Sequence, residues 1–220
     1  LKSETKIISI AYSWIGEEEK TCLVWNNKTK NDKDLIEQFL QIFNQADLVV
    51  GVNSISFDDK ILKARAAKHR LEINNYVKQF DLQRTARKEF RLPSHSMKYL
   101  AEYFNLTHKL SHAGMQMWIN IQEKTGSESL KSLNEMVEYN IGDIATTEEL
   151  YYLIIKYTKP TFNIAFDKPS FVNPISGSKD LTLYQIQRTP AGYNKYIMKD
   201  QDGLQHILSE TNYNKFLNSL

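Results

Sequence analysis

The 220-residue sequence holds a single cysteine, Cys22, which excludes an internal disulfide and any zinc site built from several thiolates. It has no uncharged apolar run near the roughly 20 residues that a membrane-spanning helix needs. It also opens without the basic stretch and apolar core of a secretory leader. Charge of one sign is not in excess: 28 Lys and Arg against 26 Asp and Glu leave a net +2, too little to announce a nucleic-acid partner by itself. A glycine-rich phosphate loop is missing, as is any serine or cysteine motif for nucleophilic catalysis. His108 and His112 stand four apart, but without an HExxH pattern they make a poor case for zinc. The chain begins with Leu1 rather than Met, so it is expected to start inside a longer reading frame.

What is present is the composition of one generous globular domain, or one with a small appendage: 41% hydrophobic and 25% charged residues. Lys6 to Trp14 alternates and carries aromatic and β-branched residues, and Thr21 to Trp25 does so again after a turn at Gly16, which predicts an antiparallel hairpin. Asp32 and Asp34 introduce an amphipathic helix over Leu35 to Asn44. Leu48 to Val52 is continuously apolar, the pattern of a strand buried on both faces. A basic helix over Asp58 to Arg70, a short strand at Gln79 to Leu82, and helices at Gln83–Phe90, Ser96–Phe104 and Met115–Gln122 follow. The longest helical pattern, Leu130 to Tyr157, stops at Pro160. Strands alternating with helices give an α/β layer architecture over residues 1–158. Four of the five prolines lie beyond Lys159, so residues 159–220 read as a small β-rich appendage.

Two stretches can carry chemistry. Asn53-Ser-Ile-Ser-Phe57-Asp58 stands where the apolar strand gives way to the basic helix, and the carboxyl ends of strands are where α/β folds place their sites. Asp58 there is either a site carboxylate or simply an acidic charge favoured by the helix dipole, with Phe57 a core residue. Glu138-Tyr139-Asn140-Ile141-Gly142-Asp143 sets Tyr139 and Asp143 at i and i+4, on one helix face. That pair presents a carboxylate to a metal and a phenol to a water or phosphate, or else it is a half-buried tyrosine bonded to a helix carboxylate. Lys60, Lys63, Arg65, Lys68 and Arg70 are either a nucleic-acid path beside Asp58 or ordinary solvated helix charges. Cys22, on a strand, reads as an inert thiol.

Taken together, NxxxFD after an apolar strand and YxxxD on a late helix resemble the second and third motifs of the DEDD exonuclease superfamily. Glu138 stands where the histidine subclass carries His, so the pattern is that of the tyrosine subclass. Asp81-Leu82, Arg87 to Ser94, Leu100, Leu106, Lys109 and Trp118 extend the likeness to phage-encoded predicted exonucleases over most of residues 6–157. The resemblance implies a ribonuclease-H-like mixed sheet flanked by helices and a two-metal 3′–5′ exonuclease that uses Mg2+ or Mn2+ on the 3′ ends of DNA or RNA. It further implies that Asp58 and Asp143 ligate the metals and Tyr139 orients the attacking water. Asn53, Phe57 and Lys109 would meet the nucleic acid. A cytoplasmic, phage- or prophage-encoded protein is implied as well.

The family's first motif, Asp-x-Glu on the opening strand, is absent from the 220 residues. Two aspartates offer two negative charges against the four of two divalent ions, and hard cations ask for more oxygen ligands. In this fold the missing strand is central, so its absence is expected to leave open edges on the hairpin and on the Leu48–Val52 strand. An upstream segment, a partner chain, or descent to an inactive nucleic-acid-binding or assembly module would each account for it. Proteins of this kind often end in a zinc ribbon. Asn173-Pro-Ile-Ser176 and Met198-Lys-Asp-Gln201 look like its two knuckles with the cysteines replaced, so no zinc is expected; the other reading is an unrelated tail. A hairpin of Leu181–Ile186 with Tyr193–Met198 is predicted there. Its aromatic anchors would be Phe162, Phe166, Phe171, Tyr184, Tyr193, Tyr196 and Phe216, with Arg188, Lys195 and Lys199 for phosphates.

Overall fold

The computed structural model describes residues 4–106, 114–159, 162–165 and 167–220, and the chain divides into two compact units, Leu1–Tyr152 and Leu153–Leu220. In the first unit the aromatic and β-branched opening forms β1 (Ser9–Tyr12) antiparallel to β2 (Thr21–Val24), with Ser9 opposite Val24. Gly16 takes φ +86° in the connection, a left-handed conformation open to glycine at little cost. Helix α1 (Lys33–Phe43) buries Leu35, Ile36, Leu40 and Phe43, the stripe expected of its i, i+4 spacing. Strand β3 (Leu48–Gly51), helix α2 (Asp58–His69) and β4 (Lys78–Asp81) make a crossover unit in which β3 and β4 pair in parallel. Among the described residues α3 (Leu82–Glu89), α4 (Met97–Tyr103), α5 (Gly114–Glu123) and α6 (Gly126–Ile154) follow. The core joins Ile8 and Trp25 of the hairpin region to Leu40 and Phe43 of α1, Leu62 of α2, Ile121 of α5 and Met136 of α6. Among the described residues no helix is long and apolar enough to cross a membrane.

Strand β3 departs from its sequence pattern. A continuous apolar run predicts burial on both faces, yet all four of its residues are only half buried, as are all four of β1. The cause is topological. Among the described strands β1 pairs only with β2 and β3 only with β4, so each keeps one edge unpaired.

Asp32 precedes α1 without capping it. Its fully buried carboxylate accepts instead from Ile7 N at 2.9 Å and from Arg65 Nε and Nη2 at 2.8 and 2.6 Å, and it meets His69 Nε2 at 3.0 Å. Burial alone would raise this carboxyl; the Arg65, Ile7 and His69 hydrogen bonds overcome that and hold it at about 2. Arg65 and Lys68 also bond Glu4. The residues just before β1, the start of α1 and the last turns of α2 are thereby tied at one ion cluster.

The second unit is a three-stranded antiparallel sheet in the order β5 (Thr182–Arg188), β6 (Asn194–Lys199), β7 (Gln205–Ser209), with α7 (Glu210–Leu217) behind it. Sequence reading anticipates the first two strands and overlooks β7 and α7. Leu181, Tyr196, Met198, Leu208 and Phe216 form its core, with Phe171 and Tyr213 packed against them. Tyr196 stacks on Tyr213 with ring centroids 4.0 Å apart. Phe162 is buried, whereas Tyr184 and Tyr193, expected as anchors, are exposed. Tyr184 lies on the edge strand β5, where its ring carries the Lys199 ammonium at 3.6 Å. Phe166 falls outside the described residues.

Residues 173–176 and 198–201 of this unit meet through hydrogen bonds. Asn173 Nδ2 donates to Asp200 Oδ2 at 3.1 Å and to the Leu204 carbonyl at 3.2 Å, and Ser176 Oγ donates to Asp200 Oδ2 at 2.6 Å. The other oxygen of Asp200 accepts from Leu204 N at 2.8 Å and Asp202 N at 3.1 Å. Asn173 and Asp200 are both buried, so this network satisfies groups that would otherwise be costly to bury.

Candidate active site

The site is built around the end of β3. Gly51 is required there: a Cβ would stand 2.7 Å from Cβ of Ser54, because the chain turns back on itself directly after the strand. Asn53 makes that turn in the left-handed region at φ +61°, which asparagine tolerates better than other side-chain-bearing residues. Its carbonyl accepts from Phe57 N at 3.2 Å and its N–H donates to Asp81 Oδ1 at 3.1 Å. Asp81, at the end of the neighbouring strand, also accepts from Ile55 N at 3.3 Å and caps α3 through Arg84 N at 3.1 Å. The turn therefore presents Phe57 and Asp58 in a fixed pose at the start of α2. Sequence analysis gave Asp81 no role of its own, although an aspartate immediately before a helix is a capping signal.

Asp58, Phe57, Ser54, Trp118, Asn140 and Asp143 all line one groove of about 520 Å³ within the first unit. Burial pushes the Asp58 carboxyl up, and the negative charge of Asp81 adds to the rise. Phe57 is 59% exposed, so it is not the core residue that the simpler reading made it. On α6 the Tyr139 hydroxyl is hydrogen-bonded to Asp143; burial first, then the charge of Asp143 and this bond, push the phenol up. Asn140 Nδ2 donates to Ser9 Oγ at 2.7 Å, which sets the rotation of α6 against β1. The two sequence motifs, far apart in the chain, thus face a common space.

Other expectations resolve differently. Arg65 is buried on Asp32, so it is neither a phosphate contact nor a solvated charge, whereas Lys68, bonded to Glu4, and Lys63, bonded to Asp59 at 2.8 Å, stay about half exposed. Burial pushes the Cys22 thiol up, in keeping with an unreactive cysteine. Lys109, His108 and His112 lie outside the described residues. Ser54 Oγ, buried on the groove wall, has no hydrogen-bond partner, nor has Gln79 Oε1.

As donors to a hard cation, Asp58 and Asp143 have the right chemistry, oxygen and negative charge. They are too few. Among the described residues no group of three His, Cys, Asp or Glu side chains is placed to hold a metal ion.

The family model of the RNase H superfamily matches residues 1–155, more than two thirds of the chain, and the chain belongs to that superfamily. A comparison with curated proteins finds no match. Membership points to a nuclease-type function on nucleic acid, and ribonuclease-H-like nucleases generally use divalent metals.

Proposed function

We propose that this member of the RNase H superfamily is a 3′–5′ exonuclease of the tyrosine DEDD type, acting with Mg2+ or Mn2+ on the 3′ ends of DNA or RNA. The observation that carries the reading is the convergence of Asp58 and Asp143 on one groove, with Tyr139 bonded to Asp143 one turn away. In this reading Asp58 and Asp143 are metal ligands, and two further carboxylates come from a segment outside the described residues. The ions would supply an activated water and neutralise charge on the leaving oxygen. Tyr139 is the group that orients the water, Phe57 offers a face for the terminal base, and Asn53 holds the turn that aims both Phe57 and Asp58. Lys109 is proposed as a phosphate contact.

The test is an assay on 5′-labelled single strands with the protein from its complete reading frame. Stepwise shortening that needs Mg2+ or Mn2+ is expected, falling by about a hundredfold or more in Asp58→Asn and Asp143→Asn. No stepwise shortening, or an Asp143→Asn variant as fast as the parent, overturns the proposal.

A second reading, a non-catalytic nucleic-acid-binding or assembly module on the same fold, is favoured by the shortage of metal donors around the groove. It predicts salt-sensitive binding of single strands with no shortening in the same assay.

A further inference from the structure

The two helices after β4 carry a charge pattern that the groove itself does not use. Arg84, Arg87 and Lys88 stand at i, i+3 and i+4 on α3, and Arg91 follows at i+7 just past its end. Leu82 and Ala86 turn the opposite face of the helix into the core, which leaves all four cations exposed. Lys88 meets Glu89 at 3.1 Å yet keeps 74% of its side chain in solvent. Arg84, Arg87 and Arg91 make no ion pair among the described residues. Residues 82–104 hold five Lys and Arg against two Glu, so this stretch alone is more positive than the net +2 of the whole chain.

A row of rings stands where the stripe ends. Phe90, directly after α3, meets Phe104 edge-on with centroids 5.6 Å apart, and Phe104 meets Tyr103 at 5.1 Å. Tyr103 in turn stacks on Tyr99, one helical turn earlier on α4, at 6.0 Å with 18° between the planes. These contacts fix the pose of Tyr103 while leaving it 55% exposed. Cations a helical turn apart beside a fixed, exposed ring are the two elements that single-strand sites combine, one for phosphates and one for a base. An acidic protein would use the cations and have no need of the ring. A duplex keeps its bases stacked on one another and offers the ring no face.

The stripe is also referenced to the candidate site. Asp81 accepts from Arg84 N at 3.1 Å, which starts α3, and from Asn53 N at 3.1 Å, which holds the turn before Asp58. The first cation thus stands three residues beyond the carboxylate that positions that turn.

We propose that the exposed face of α3, together with Tyr103 of α4, is a track for single-stranded nucleic acid, on which Arg84, Arg87 and Arg91 meet phosphates and Tyr103 stacks on a base. That the strand's 3′ end enters the groove of Asp58 and Asp143 rests on the nuclease reading above; that the track holds a single strand does not.

The experiment is fluorescence anisotropy on the full chain in EDTA, over a range of salt concentrations. The probes are a labelled oligothymidylate of about 15 nucleotides, within the span of single-strand sites, its oligouridylate counterpart, and a duplex of equal length. Arg84→Gln with Arg87→Gln is expected to weaken single-strand binding about tenfold or more. It should also reduce the slope of log affinity on log salt by about 1.4, the share of two phosphate contacts on a single strand. Tyr103→Ala should bind about fivefold more weakly or worse with the slope unchanged, and Tyr103→Phe should bind as the parent does. Lys28→Gln, a change at an exposed lysine between β2 and α1, should alter neither quantity. A double variant with the parent's affinity and slope overturns the proposal, as does a loss just as large in Lys28→Gln. So does a Tyr103→Ala variant that binds like the parent, or a duplex held as tightly as the single strand. Because no metal is present, the two readings fail separately. An inactive protein that still needs these arginines to hold a strand sinks the nuclease reading alone, and a metal-dependent nuclease whose binding ignores them sinks the track alone.

Discussion

Asn53 and Asp81, 28 residues apart, are joined by a hydrogen bond of 3.1 Å from a backbone N–H to a carboxylate. That one contact ties the turn after β3 to the end of β4, and the same carboxylate starts α3. Two parallel strands and the helix following the second are thus referenced to a single side chain, and Asp58 inherits its position from it.

Replacing Asp81 with alanine would leave the N–H groups of Asn53, Ile55 and Arg84 without their acceptor. A loss of about 2–3 kcal/mol is expected from urea denaturation. Asp81→Asn, which keeps one carbonyl oxygen to accept, should lose about half as much.

Arg65 and Asp32 form a buried pair, so breaking it from one side strands a charge. Arg65→Leu is expected to cost about 3–5 kcal/mol. The double variant Asp32→Leu with Arg65→Leu should recover most of that, and a double-mutant cycle in urea reads the coupling. A double variant less stable than Arg65→Leu alone would contradict this account.

The same carboxylate sets an acid limit. Asp32 is held at about 2 in the folded chain against an ordinary 3.8. A depressed carboxyl contributes stability that is fully present above its unfolded value and is lost as pH falls from near 4 through 2. Its share is about 2 kcal/mol. Stability measured between pH 5 and pH 2 should fall in the parent and fall less steeply in Asp32→Leu with Arg65→Leu.

Asp58 works in the opposite sense. Its carboxyl is raised by burial and by Asp81, so its ionised form costs the fold stability once pH rises through the raised value. Asp58→Asn removes that cost. The variant is expected to melt at a higher temperature than the parent at neutral pH and, under the proposed exonuclease reading, to shorten no strands. A variant that melts lower at pH 8 would show that the carboxylate is stabilised rather than strained in its place.

Much of this was legible in the sequence, for identifiable reasons. Helix α1 is marked by apolar spacing, and α6 by an uninterrupted helical pattern ending before Pro160. The hairpin is marked by alternation around Gly16. The Asp58 and Asp143 motifs were visible as motifs, but their shared groove was not, because it depends on how α6 is rotated by the Asn140–Ser9 bond. Arg65 looked like every other base on α2. Only the tertiary partner, Asp32, distinguishes a buried arginine from a solvated one, and no periodicity encodes that pairing. Strand β3 differs from its pattern for a related reason: an apolar run records the neighbours a strand is suited to, while its actual burial records the neighbours it has. Residue type alone suggests Tyr184 and Tyr193 as anchors, but the edge position of β5 and the turn before β6 put them at the surface.

The network of Asn173, Ser176 and Asp200 has a consequence for the second unit's dependence on its surroundings. A ribbon clasped by cysteines around zinc is folded only while metal is supplied and its thiols stay reduced; oxidants and chelators are its off-switches. Here the clasp is an amide, a hydroxyl and a carboxylate, none of which is oxidised under conditions that attack thiolates. A unit held in this way opens only when the polypeptide itself unfolds.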